Sequence, residues 1–338
     1  MSFTNCVLSG VQPTGALHLG NYLGAIKNFV ALQSDYEQSL YCVVDQHAIT
    51  VSQNPEELRK NVRSVAAAYL AAGIDPKQSA IFNQSAVSAH TQLAWVLNCV
   101  ARLGWLNRMT QFKEKAGKNK ENASIGLYTY PILMAADILC YKATHVPVGA
   151  DQKQHLELAR DIATRFNLEH AGYDFFPLPE PLIGETAMRI MSLRDGTKKM
   201  SKSDPSDYAR IHLTDSDEDI IKKFKKAKTD GGEMPATIEE LEERPEIKNL
   251  LTLHAAMTNG TLAKSLTEFK SQNFSTLKST LADITIEVVR PFRIEMTKVL
   301  EDTDYIDTIL QEGAMKARAI ASPIVKDVYD IMGFLAFK

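Results

Sequence analysis

The chain is 338 residues long, 45% apolar and 23% charged, with a formal net charge of −3. This is the composition of a globular protein with room for a large core and two domains, and its balance of charge neither requires nor forbids an RNA partner. The opening MSFTNCVLSG lacks the marks of a secretory signal or transit peptide, and no run of about 18 apolar residues is free of charge, so a cytoplasmic protein with no membrane segment is expected.

Residues 6–9 (CVLS) read as the first strand. It leads into SGVQPTGALHLGNYLGA, residues 9–25, where Pro13, Thr14 and Gly15 make a turn and a helix begins near Leu19 and Gly20. A second strand is predicted over 39–45 (SLYCVVD). Asn54, Pro55 and Glu57 then mark a helix start: a capping side chain, a proline at the first position and a glutamate closing a capping box. Leu58, Val62, Val65, Tyr69 and Leu70 recur at helical spacing, with an exit at Gly73. Residues 79–83 (SAIFN) and 145–148 (HVPV) predict further strands, and Pro131 to Tyr141 reads as an apolar helix start between them. The four cysteines, Cys6, Cys42, Cys99 and Cys140, lack the paired spacing of a metal or redox site and read as free thiols; no metal site is expected.

Strand–helix–strand alternation implies an α/β fold, a Rossmann-like parallel sheet with helices on both faces. Beyond about residue 205 the pattern turns helical. Ser216 caps a helix that opens with Asp217, Glu218 and Asp219 and continues with Lys222, Lys223, Lys225, Lys226 and Lys228, the charge order that suits a helix dipole. Segments 248–258, 262–270, 277–300 and 312–332 continue the helical character. The expected organisation is a catalytic domain over 1–207, ending in a loop at 197–207, and a helical region over 208–338 whose last helix could pack back on the first domain.

Ligands of such sheets bind beyond the carboxyl ends of the strands. Polar clusters fall there three times: SGVQPTG, then Asp45-Gln46-His47, then GADQ at 149–152. The first contains no Gly-x-Gly-x-x-Gly and no Gly-Lys-Ser/Thr. A turn running into a helix still presents free N–H groups and a positive dipole end to an anion. His18 and Asn21 share a face of the first turn, and two donors there suit the oxygens of a triphosphate. Gly20 allows a nucleotide close to the backbone. In Lys198-Lys199-Met200-Ser201-Lys202-Ser203-Asp204, Lys199 and Lys202 are point charges suited to phosphate, although that stretch taken alone reads equally as a solvated loop. Asp137 sits among Met134, Ala135, Ala136, Ile138 and Leu139, where an unpartnered carboxylate is costly. An indole N–H would give it a partner; so would water on an exposed helix face, or an ion pair with Lys or Arg.

Pro-Thr-Gly-x-Leu-His-Leu-Gly-Asn, residues 13–21, resembles the HIGH motif of class I aminoacyl-tRNA synthetases, and Lys199 to Ser203 reads KMSKS without a mismatch. VVDQHAIT (43–50), MTQFKEK (109–115), YPILMAADIL (130–139) and VPVGADQKQH (146–155) resemble the bacterial-type tryptophanyl-tRNA synthetases, and the resemblance runs over essentially the whole chain. Asn21 stands where many class I enzymes carry a second histidine, Ala150 replaces a frequent glutamate, and Ala187 to Ile190 varies a usual Gly-Ala-Arg segment.

The resemblance implies ATP contacts from Gln12, Pro13, Thr14, His18, Gly20, Asn21, Gly149, Ala150, Asp151, Ile190, Lys199, Met200, Ser201, Lys202 and Ser203, with His18, Asn21, Lys199 and Lys202 neutralising charge during catalysis. It implies that Tyr130 and Gln152 hold the α-amino group of tryptophan, that Met134 lines the indole pocket, and that Asp137 accepts the indole N–H; His47 is a further candidate for ligand contact. The implied activity joins L-tryptophan to tRNA(Trp) through an adenylate, with ATP as substrate, Mg²⁺ carried on its phosphates, and a homodimer as the assembly. Arg108, Lys113, Lys115, Lys118 and Lys120 of the 108–122 loop could reach the acceptor stem through phosphate, and the helical region would read the anticodon. Three other readings stay open: a tyrosyl-tRNA synthetase, a small-molecule nucleotidyltransferase, and a catalytically inactive RNA-binding relative. The long helical region argues against the second, and intact Lys199, Lys202, Asp137 and Gln152 argue against the third.

Overall fold

Five strands form one parallel sheet in the computed structural model, which describes residues 3–109, 120–149, 152–182, 189–202 and 204–335. They are β1 (Cys6–Val11), β2 (Gln38–Val43), β3 (Ala80–Asn83), β4 (His145–Pro147) and β5 (Glu180–Leu182), in the order β3-β2-β1-β4-β5. Register is set by apolar rows such as Leu8 opposite Leu40 and Leu40 opposite Ala80. The strand order runs outward in both directions from β1, the Rossmann-like arrangement that opens a crevice at the carboxyl ends of the central strands.

Helices cover the sheet, which explains why β1 and β2 are apolar almost throughout rather than alternating. The Pro55–Ala71 helix starts as expected: the Asn54 side chain accepts from the Glu56 and Glu57 N–H groups at 2.9 and 3.1 Å. Its buried row of Val65, Ala66, Ala67, Ala68 and Tyr69 is mostly small, so the helix comes close to the strands. Phe82 and Phe166 are fully buried in the same core, each worth about 1.5–3 kcal/mol of apolar burial. The Thr303–Ile331 helix lies on β3; a Cβ at Gly313 would overlap the backbone of Ile81, so only glycine permits that approach.

Two features depart from expectation. Pro131 does not begin a helix but sits within the Ile125–Leu139 helix, whose start is the Ser124 cap, with Oγ accepting from the Leu127 N–H at 3.1 Å. The proline removes the bond that a backbone N–H there would have made to Leu127 O. β5 was not anticipated, because three residues with Glu180 and Pro181 exposed carry no apolar pattern; proline is tolerated there on an edge strand.

By contact the chain divides into two units. The first comprises Met1–Thr14, Ala31–Ile183 and Asp302–Lys338, and holds the sheet. The second comprises Gly15–Val30 and Gly184–Glu301. Residues 15–30 group with the second because a short backbone ladder joins them to 211–213: Leu19 N–H to Ile211 O at 2.8 Å and Leu213 N–H to Leu17 O at 3.0 Å. The second unit is helical, with the Asp217–Lys225 helix packed on the Phe274–Glu301 helix. Within the lysine run, Lys223 is buried and held by Asp215 at 2.7 Å and Asp207 at 2.9 Å, so the run is not a uniform solvent face. Among the described residues no helix is long and apolar enough to cross a membrane.

Candidate active site

In the first unit the polar residues after β2 and β3 converge on Asp137. This side chain lies midway along an apolar helix and is 5% exposed. Its Oδ1 accepts from Gln84 Nε2 and His90 Nδ1, each at 2.7 Å, and its Oδ2 accepts from His47 Nε2 at 2.7 Å. An ionised carboxylate only accepts, so the imidazole nitrogens that face it carry the hydrogens. Gln84 in turn accepts from the Gln46 N–H at 3.1 Å, and the Tyr141 hydroxyl donates to His90 Nε2 at 2.8 Å. Burial by itself would raise the Asp137 pKa. The charge of His47 and the hydrogen bonds from His47 and His90 outweigh it and hold the carboxyl at about 2. Neither a solvated face nor a Lys or Arg partner accounts for Asp137; two histidines and a glutamine do.

Tyr130, Met134 and Asp137 recur at helical spacing along one face of the Ile125–Leu139 helix. The Tyr130 hydroxyl lies 2.9 Å from His155 Nε2, and its ring meets His47 edge-on at 6.2 Å. His47 therefore serves Asp137 directly and borders the aromatic side of the cluster. Gln152 precedes the Lys153–Phe166 helix and donates its backbone N–H to Gly149 O at 2.9 Å. After β1, Gln12 is exposed, Pro13 is buried and Thr14 is half-buried. Ala150, Asp151 and Ser203 lie outside the described residues, as do 110–119 of the basic loop.

The second unit brings the other candidates together around His18. This residue heads the Leu19–Asn21 helical turn, and Asn21 Oδ1 accepts the His18 N–H at 3.1 Å. Asn21 is thereby oriented with its amide hydrogens still available as donors. Gly15 adopts φ +62°, where side chains are strained, and a Cβ there would stand 3.7 Å from Lys202 Cβ; the lysine stem runs alongside this turn. A Cβ at Gly20 would crowd the His18 ring at 3.1 Å, so this glycine makes room for the imidazole.

Lys199 and Lys202 sit on and beyond one arm of a hairpin. Met191 pairs with Lys199, Ser192 N–H bonds Lys198 O at 2.8 Å, and Met200 N–H bonds Ile190 O at 3.0 Å. Asp195 shapes the turn, accepting from the Thr197 N–H at 3.1 Å and its hydroxyl at 2.6 Å. Ile190 and Met200 are buried, while Lys199 is exposed. Buried Asn249 grips the other arm, accepting from the Met191 N–H at 2.9 Å and donating to Met191 O at 3.0 Å. Arg210 donates to Asp204 O at 2.8 Å and Ser201 O at 3.3 Å, holding the far end of the lysine loop. Asn249, Arg210 and His212 were not anticipated, since nothing in their local pattern distinguishes them from surface polar residues.

The electrostatics around His18 are strongly positive. Burial, then the charges of Lys202, His212, Arg210 and Lys199, push its pKa down to about 3, so the imidazole is neutral at ordinary pH. Burial lowers Lys202 to about 8. His212 pairs with His18 across the backbone ladder, and Nδ1 of each imidazole is buried without a hydrogen-bond partner among the described residues. Neutral donors, a helix N-terminus and two lysines have the chemistry that suits a polyanion. Among the described residues no group of three or more His, Cys, Asp or Glu is placed to hold a metal ion.

The family described as tRNA synthetases class I (W and Y) matches residues 4–290. A tryptophan–tRNA ligase of Agrobacterium fabrum is 54% identical, covering 99% of both chains, and that of Caulobacter vibrioides is 56% identical, covering 97% of this chain and 95% of its own. Among solved structures, the tryptophanyl-tRNA synthetase of Mycoplasma pneumoniae aligns over 98% of this chain and 99% of its own, at 33% identity and a TM-score of 0.87. That of Campylobacter jejuni, complexed with ADP and tryptophan, aligns over 97% of this chain and all of its own, at 33% identity and a TM-score of 0.79.

Proposed function

The chain belongs to the class I tRNA synthetases of the W and Y family, in its bacterial tryptophanyl branch, and from that premise we propose which residues carry the reaction. It is a tryptophan–tRNA ligase: it activates L-tryptophan with ATP to tryptophanyl-adenylate and pyrophosphate, then transfers tryptophan to the 3′ end of tRNA(Trp). The observation that best supports the amino-acid assignment within the site is buried, ionised Asp137. A carboxylate offers about four acceptor positions, and three are filled by His47, Gln84 and His90; the one left on Oδ2 takes the indole N–H. Phenylalanine has no donor to fill it and is disfavoured by the cost of a desolvated acceptor, about 10–100-fold for one polar contact, with the shape of the indole pocket adding to a discrimination that needs no editing site. Met134 lines the indole pocket, and Tyr130 and Gln152 bind the α-amino group.

In the activation step the tryptophan carboxylate oxygen forms a bond to the α-phosphorus in line, as the bond from that phosphorus to the pyrophosphate oxygen breaks. The substrate supplies the nucleophile, so the protein contributes position and charge. Lys199 and Lys202 neutralise the negative charge that grows on the leaving pyrophosphate. The amide of Asn21 and the neutral imidazole of His18 donate hydrogen bonds to phosphate oxygens without adding charge. Gln12, Pro13, Thr14, Gly20, Gly149, Ala150, Asp151, Ile190, Met200, Ser201 and Ser203 complete the ATP contacts. Mg²⁺ travels with the phosphates, its own preference for oxygen and water leaving no need for a protein cage. In the second step the 2′-hydroxyl of the terminal adenosine attacks the activated carbonyl and releases AMP. The helical segment after residue 208 recognises the anticodon, and the enzyme works as a cytoplasmic homodimer.

Amino-acid-dependent exchange of pyrophosphate into ATP tests the reading. Exchange with tryptophan and none with tyrosine or phenylalanine is the expected result. Exchange with tyrosine would overturn the indole assignment, and none with any amino acid would point to an inactive relative.

A further inference from the structure

We propose that Tyr141 and His90 are positioning residues that decide which acceptor of Asp137 faces the indole N–H. The inference rests on the reading of Asp137 as indole acceptor and goes on to say what aims it. Among the described residues, Oδ1 receives two donors, from Gln84 and His90, whereas Oδ2 receives one, from His47. Oδ1 is saturated by that pair, so the position left for a substrate belongs to Oδ2.

This arrangement depends on one tautomer of His90. With hydrogen on Nδ1 the ring donates to Asp137; with hydrogen on Nε2 it would turn a lone pair towards the carboxylate. The ionised carboxylate requires the first tautomer, and Tyr141 secures it by holding its hydroxyl, as donor, 2.8 Å from Nε2. Its phenol, 2% exposed, is kept protonated by burial, so it remains a donor throughout the working range. The ring is also held in place. It meets Phe82 of β3 edge-on at 5.9 Å and His90 edge-on at 5.4 Å, so the hydroxyl cannot swing aside without displacing a core residue. Gln84 and His47 come from the turns after β3 and β2, and His90 from the Ala89–Val100 helix, so three separately anchored elements fix the carboxylate. Loss of the Tyr141 hydroxyl releases only the His90 arm. Oδ1 then regains a free lone pair, and the carboxylate can turn away from the substrate.

The experiment compares tryptophan with its benzothienyl analogue, in which sulfur replaces the indole N–H, in pyrophosphate exchange by the full-length wild-type enzyme and by Tyr141→Phe. The expected result is a KM for tryptophan raised about ten-fold, the size of a buried hydrogen-bond defect, with kcat and the KM for the analogue little changed. The preference for tryptophan over the analogue then narrows by the same factor. His90→Asn, whose amide nitrogen can occupy the place of Nδ1, is expected to keep more of that preference than His90→Leu. Equal losses with both amino acids in Tyr141→Phe would mean the hydroxyl serves structure alone, and no change with either would mean it serves nothing here; each overturns the proposal. If the wild-type enzyme itself shows no preference for tryptophan over the analogue, the reading of Asp137 fails first and the positioning role with it.

Discussion

Asp137 and His18 are both buried polar side chains, 5% and 4% exposed, yet their surroundings differ in sign and in completeness. Around Asp137 three donors are already in place among the described residues, and the carboxyl is held ionised far below neutral pH. Around His18 the neighbours are basic side chains, Lys202, His212, Arg210 and Lys199, and its own Nδ1 has no hydrogen-bond partner among the described residues. The first arrangement is rigid because satisfied networks resist rearrangement. The second keeps the Lys202 charge in a partly desolvated setting that a bound anion relieves, an arrangement suited to binding a charge that grows during a reaction more strongly than the ground state. On the proposed function, selection of the amino acid and handling of the phosphates fall to two kinds of polar environment.

The comparison breaks if the lysine loop is passive. Lys202→Ala is expected to slow single-turnover adenylate formation by about 10²–10³-fold, the cost of removing one preorganised charge-stabilising donor, with little change in tryptophan KM. An unchanged rate would remove Lys202 from the reacting centre. A smaller effect is expected at the other site. Asp137→Ala should lower the kcat/KM preference for tryptophan over phenylalanine by about 10–100-fold, the range of one polar contact. It should also lower thermal stability, because three buried donors each lose an acceptor at about 1–3 kcal/mol apiece before relaxation. Wild-type selectivity in that variant would show that the satisfied network is structural only.

Much of this was legible in the sequence, unevenly. Four of the five strands and the caps at Asn54 and Ser216 follow from patterns spanning a few residues, and the structure places them within a residue or two of expectation. β5 escaped because three residues on an edge need little apolar character. Asp137 was visible as a carboxylate out of place among apolar neighbours, but its partners were not. His90 lies on a helix whose apolar spacing is complete without it, and Tyr141 reads as one more core aromatic. Gln84 follows β3 as Gln46 follows β2, so a fourth polar post-strand cluster was there to be read. Asn249 acts on backbone groups of a distant segment and Arg210 on those of the loop just before it, and backbone atoms leave no mark on composition.

The smallest expected effect sharpens the contrast most cleanly, because it is a matter of protons rather than rate. Burial holds Lys202 at about 8, below an ordinary lysine, so near pH 8 about half the enzyme carries it neutral. A bound polyanion favours the charged form and raises that pKa. ATP binding at pH 8 should therefore take up about half a proton, and affinity for ATP should weaken as pH rises through 8, since more of the enzyme must first be protonated. Asp137, held at about 2, stays ionised across this range and contributes no proton to tryptophan binding. Calorimetry at pH 8 in two buffers of different ionisation enthalpy reads the difference directly: the heat of ATP binding should depend on the buffer. Lys202→Arg, always charged, should abolish that dependence while keeping the cation. Buffer dependence that survives Lys202→Arg would assign the proton to another group, and Lys202 would no longer be the desolvated amine that the polyanion recharges.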